Sequence, residues 1–127
     1  MLLIDPATCL AVAIYFEARG ELDINQLKVA EVVMNRVESE KYPNTICGVV
    51  KQYKQFSFLN NAPDNELIID KKSEAWRLAV HLADVAMKAG GRTVDVCHYA
   101  HYDVDNFWTK KMTGKKEGNH VFYKGGC

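Results

Sequence analysis

Cys9 to Phe16 is apolar without a break, and the residues around it carry helix signals at both ends. Asp5 is an N-cap type and Pro6 suits the first helical position. Gly20 suits the residue just past the end. The spacing predicts a helix from Asp5 through Arg19, and a helix apolar on every face is buried on nearly all sides. Leu10, Ala13, Ile14 and Glu17 share one side at 3.6-residue spacing, so a carboxylate extends an apolar row.

A carboxylate in that position costs free energy unless it is paired or used. Desolvation favours its protonated form, and the negative end of the helix dipole acts in the same direction. A protonated carboxyl opening onto a glycine turn is what a general acid needs. Glu17 is therefore the candidate catalytic acid; the plainer reading is an ion pair with Arg19 or another cation. Glu21 is the candidate second acid, since a two-carboxylate glycosidase places its acids ~5–9.5 Å apart. A solvated turn at Glu21 and an N-cap at Asp23 are the plainer roles.

A second helix follows, with Asp23 as cap, Gln26 completing a capping-box-like pattern, and Val29, Ala30, Val33 and Val37 as its apolar row. The short connection favours antiparallel packing on the first helix. Tyr42-Pro43-Asn44 ends it, and a short helix is expected over 45–51. Residues 52–59 read as a strand and 60–65 as a loop. Asp70 is expected to cap a long amphipathic helix over 71–89, closed by Gly90-Gly91. Strand-like segments over 95–102 and 118–123 flank a short helix over 106–112. No repeat or low-complexity run interrupts the chain, and 127 residues suit one domain, 1–127.

Sixteen basic and sixteen acidic residues cancel, which argues against a dedicated nucleic-acid binder. No run approaches the ~20 apolar residues that span a bilayer, so no membrane insertion is expected. The start, MLLIDPATCL, lacks a basic leader region, so a cytoplasmic start is expected. Cys9, Cys47, Cys97 and Cys127 show no C-x-x-C pair. Their even number permits disulfides, but a cytoplasmic start favours buried thiols, with the terminal Cys127 exposed.

His98 and His101 point to opposite faces of a strand, which disfavours a shared metal site. Tyr99 and His101 share a face that suits stacking on a sugar ring, or simply packing. His120 either lines a cleft or caps the last element. Gln55, Phe56 and Ser57 sit on a strand that suits a polysaccharide groove, although a plain hairpin fits equally. No nucleophile elbow, phosphate loop or dinucleotide fingerprint occurs, and no metal or other cofactor is expected. From Lys110 onward five lysines face one acid, Glu117. That run suits an anionic polymer, or merely a solvated loop.

Six segments together resemble one family. They are YFEARGE at 15–21, VAEVVMNRVES at 29–39, YPNTICGVV at 42–50, QFS at 55–57, HYAH at 98–101 and GNHVFY at 118–123. In this order and spacing they resemble the cell wall hydrolases of the spore-cortex-lytic, SleB-type group, which also occurs among phage endolysins. The segment HYAHYDVDNFW departs from the pattern. The resemblance implies a mainly helical α+β, lysozyme-like domain with a small sheet beside the active-site cleft. It implies cleavage of the β-1,4 bond between N-acetylmuramic acid and N-acetylglucosamine, with the glutamate of Glu-Ala-Arg-Gly, Glu17, as catalytic residue.

Lytic transglycosylation is the preferred outcome, with hydrolytic muramidase activity as its competitor. Asn35, Gln55, Phe56, Ser57, Tyr99, His101 and His120 are the candidate glycan contacts. The expected partner is the peptidoglycan strand, met by a monomer that a holin-type protein releases from the host cytoplasm. A non-catalytic wall-binding virion module and a metal-dependent amidase using His98, His101 or His120 are the other readings.

Overall fold

The computed structural model of the chain describes residues 5–52, 69–90, 96–102, 112 and 114–127. Among the described residues four helices and three strands follow in order: α1 (Pro6–Ala18), α2 (Asp23–Glu38), α3 (Ile46–Lys51), α4 (Glu74–Ala89), β1 (His98–His101), β2 (Gly114–Glu117) and β3 (His120–Tyr123). The architecture is mainly helical α+β, as the family resemblance implies. The expected strand over 52–59, loop over 60–65 and helix over 106–112 fall wholly or almost wholly outside the described residues.

Helix α1 is the centre of the molecule. Every residue from Cys9 to Ile14 is at most 1% exposed, so the uninterrupted apolar run is spent on contacts in all directions. Helices α2, α3 and α4 all pack against it. Its N-terminus is capped as expected, with the Asp5 carboxylate accepting from the Thr8 amide at 2.9 Å and Pro6 in the first turn. Its end falls at Ala18, with Arg19 as C-cap and Gly20 at φ +88° reversing the chain.

The caps of the other long helices differ from expectation. Helix α2 has Leu22 at the N-cap with no side-chain cap, and Asp23 is its first helical residue. Gln26 instead donates to the Glu21 carbonyl at 3.0 Å, which ties the helix to the preceding turn. Helix α4 starts at Glu74, later than the pattern suggests. Asp70 closes a turn by accepting from the Lys72 amide, and Ser73 accepts from the Trp76 amide as the true cap. Two polar residues in competition for one cap are not separated by apolar periodicity.

The sheet is antiparallel in the order β1-β3-β2, with Tyr99 opposite Phe122 and Phe122 opposite Lys115. β2 lies in the lysine run that reads as a solvated loop. Its exposure pattern is that of an edge strand, where lysines cover unpaired backbone. Gly118 and Asn119 connect β2 to β3 in a two-residue hairpin turn with Gly118 at φ +61°. Phe122 packs with Ala18, Val29 and Val32, so the sheet rests on the end of α1 and the middle of α2.

The four cysteines overturn the expectation of buried thiols. Cys9 is bonded to Cys47, joining α1 to α3, and Cys97 is bonded to the terminal Cys127. Cys127 is half-buried rather than exposed, and its carbonyl accepts from the Ser39 hydroxyl. Spacing in the sequence cannot reveal a pairing that depends on which segments the fold brings to within Cα–Cα 5.3 Å.

Candidate active site

Glu17 occupies the last turn of α1 and is half-buried. Two residues back, Tyr15 packs edge-on against Trp76 of α4 with ring centroids 5.9 Å apart. The Arg19 guanidinium lies over the Tyr15 ring at 4.5 Å. The helix end is therefore held from below by aromatic packing, and Glu17 inherits a fixed position.

The strand β1 supplies the neighbour of Glu17. The Tyr99 hydroxyl is buried beside the Glu17 carboxylate, and burial is the first reason its phenol ionises only well above the ordinary range. The Glu17 charge is the second cause, the polar contact with Glu17 and the Glu21 charge add to it, and Arg36 opposes it. Tyr99 is thus a neutral phenol at neutral pH. Its ring stacks on Phe122 at 5.7 Å and meets His120 edge-on at 5.2 Å. The strand pattern suggests Tyr99 against a sugar ring; the fold places its hydroxyl against the acid.

Glu21 lies 10% exposed just past the glycine turn, and both of its oxygens are engaged. One accepts from the Asn119 amide at 2.8 Å, and the other is 3.0 Å from Nδ1 of His120, itself 8% exposed. The hairpin turn sits directly on this carboxylate. A Cβ at Gly118 would overlap Glu21 Oε1 and lie 2.7 Å from Asn25 Nδ2. Gly-Asn-His and the glutamate of the first turn form one clamp across 98 positions of sequence. No local pattern carries that signal.

Asn35 and Arg36 are buried and serve the same junction from α2. The Asn35 amide donates to the Val96 carbonyl at 2.8 Å, and Arg36 Nε donates to the Cys97 carbonyl at 2.7 Å. Together they hold the chain immediately ahead of β1. Burial lowers the pKa of Arg36, and its guanidinium lies 5.0 Å over the Tyr42 ring. Sequence reasoning assigns Arg36 no role, because an arginine beside a helix end does not announce that it is buried.

His98 points toward Tyr42, with its Nε2 3.4 Å from the Tyr42 hydroxyl. His101 lies opposite His120 in the strand register. The candidate glycan contacts Gln55, Phe56 and Ser57 lie outside the described residues. Among the described residues, no group of three His, Cys, Asp or Glu side chains could hold a metal ion, and no helix is long and apolar enough to cross a membrane.

The chain is similar to known proteins in sequence and in fold. A family model described as Cell Wall Hydrolase covers residues 20–123, beginning just after Glu17. A spore cortex-lytic enzyme of Bacillus cereus is 30% identical over 118 residues, or 91% of this chain. One from Halalkalibacterium halodurans is 28% identical over 116 residues, or 89% of this chain. The chain spans 42% of the length of the first and 33% of the second. The solved catalytic domain of the germination-specific lytic transglycosylase SleB from Bacillus anthracis matches with a TM-score of 0.73 and 29% identity, covering 97% of each chain. The catalytic domain of SleB from Bacillus cereus matches with a TM-score of 0.71 and 27% identity, covering 94% of this chain and 89% of that one.

Proposed function

The chain belongs to the Cell Wall Hydrolase family, and on that premise we propose that it is a peptidoglycan lytic transglycosylase with Glu17 as its acid and base. The bond cleaved is the β-1,4 link between N-acetylmuramic acid and N-acetylglucosamine. Protonated Glu17 donates to the glycosidic oxygen as the bond breaks toward an oxocarbenium-like state. The carboxylate then takes the proton of the muramic acid 6-hydroxyl. That oxygen closes on the anomeric carbon, leaving a 1,6-anhydro end and consuming no water.

The observation that carries this reading is the match, across 97% of both chains, to the catalytic domain of a lytic transglycosylase. The engagement of Glu21 supports it further. A carboxylate bonded to Asn119 and paired with His120 is a structural anchor, which favours Glu17 serving both steps over Glu21 acting as a second acid. Tyr99, buried beside that acid, restricts where its carboxylate can turn. Asn35 and His120 act behind the glycan, by holding β1 and the hairpin; Gln55, Phe56, Ser57 and His101 are the proposed glycan contacts.

In this proposal residues 1–127 act as one catalytic domain and as a monomer. Its setting is phage lysis, with storage in the host cytoplasm and release by a holin-type partner.

Glu17→Gln removes the titrating group at constant size. The expected result is a folded protein whose clearing of permeabilised cells is at least ~100-fold slower than that of the parent. Mass spectrometry of the parent's digest should give anhydro-muropeptides. Reducing muramic ends in their place mean hydrolysis, and binding to sacculi with no released fragment means a wall-binding module.

A further inference from the structure

Glu21 is held more elaborately than a turn residue needs. Its backbone amide donates to the Ala18 carbonyl at 3.1 Å, and its own carbonyl accepts from the Gln26 side chain at 3.0 Å. Its carboxylate oxygens divide between the Asn119 amide at 2.8 Å and His120 Nδ1 at 3.0 Å. One residue therefore ties the end of α1, the first turn of α2 and the hairpin to a single point. A neutral amide of the same shape would also accept from Asn119. The charge chiefly serves the oxygen that faces His120, and burying a charge costs free energy unless a partner uses it. Glu117 stands opposite His120 in the strand register, but it is paired with Lys115 at 3.4 Å.

His120 carries this constraint toward the acid. Its ring meets the Tyr99 ring edge-on at 5.2 Å with the planes 80° apart. Phe122 completes a trio of touching rings, 5.7 Å from Tyr99 and 6.2 Å from His120. Phe122 is locked by its packing with Ala18, Val29 and Val32, and Tyr99 packs on that same cluster. Ala18 follows Glu17 directly, and the Tyr99 hydroxyl is buried beside the Glu17 carboxylate. The β3 backbone places His120, but its ring still swings about two torsions. What Nδ1 meets decides where that ring stops, and Nδ1 meets Glu21.

Resting on the transglycosylase reading above, we propose that Glu21 is a positioning residue of the reaction, acting on Glu17 through His120 and Tyr99. Its carboxylate fixes the His120 ring, and the edge of that ring fixes Tyr99. Tyr99 in turn confines the Glu17 carboxyl to the direction in which it gives and takes its proton. Glu21 touches neither the glycan nor a reacting atom, so its loss slows the chemical step without loosening the substrate. Because the three side chains act in series, the effect of Glu21 disappears once the Tyr99 hydroxyl is gone.

Glu21→Gln keeps an acceptor for Asn119 and removes the charge that faces His120. Circular dichroism and a thermal melt check its folding, and His120→Gln makes the same cut from the other side if Glu21→Gln does not fold. On peptidoglycan the variant should lose about tenfold in kcat with KM little altered. In the Tyr99→Phe background the same change should cost no more than about twofold. A parent-like kcat, a loss carried by KM, or the full product of the two single effects overturns the proposal. The flip rate of the Tyr99 ring, read by NMR on the whole protein, needs no substrate. It should rise about fivefold or more in Glu21→Gln, and an unaltered rate overturns the proposal too. A parent that releases no anhydro-muropeptides defeats the transglycosylase reading instead, and the ring flips then decide alone whether Glu21 holds Tyr99.

Discussion

Tyr99 is the residue that separates chemistry from architecture most cleanly. Tyr99→Phe keeps the tilted ring contact with Phe122 and the edge contact with His120 but deletes the hydroxyl beside Glu17. We expect kcat to fall about tenfold with KM little altered and the melting temperature within a few degrees of the parent, because only the orientation of the acid is lost. Steady-state rates on peptidoglycan and a thermal melt check both halves. Gly118 gives the opposite pattern. Its φ of +61°, and the overlap that any added Cβ would make with the Glu21 carboxylate, mean that Gly118→Ala both strains the turn and pushes the clamp apart. A loss of about 1–3 kcal/mol in unfolding free energy is expected in a denaturant titration, with activity falling only as the hairpin shifts.

At the scale of elements, the joint between α2 and β1 is sensitive to acid. Burial is the first cause of the lowered His98 pKa; Arg36 and Lys41 lower it further, and a backbone hydrogen bond at Gly125 opposes them. The folded state therefore disfavours the imidazolium. Its contribution to stability is complete above the ordinary histidine pKa of ~6.5 and is lost as pH falls through the lower folded value. Melting temperature should drop between pH 7.5 and pH 5, and His98→Gln should flatten that slope. This joint is also where the sequence is least readable. The α1 run, its caps and the Glu-Ala-Arg-Gly turn are local signals, and all are visible in the chain. The bonds from Asn35 to Val96 and from Arg36 to Cys97 span 61 positions, and the partner of Glu21 is further still. β2 escapes a sequence reading because an edge strand made of lysines has the composition of a loop.

For the whole molecule, two disulfides enclose separations of 38 and 30 residues. By loop-closure entropy each is worth about 3.5–4 kcal/mol, a large part of the stability of a domain this size. Reduction should lower the melting temperature by about 10 °C or more, measured by scanning calorimetry with and without a thiol reductant. The Cys97–Cys127 bond also anchors the segment that leads into Tyr99, so the reduced protein should lose activity before it loses helix content. Thiols stay open where glutathione is abundant and close beyond the membrane. A protein made on the inner side would therefore reach full strength only after crossing, so that ripening and arrival at the wall become one event and the maker is spared its own product.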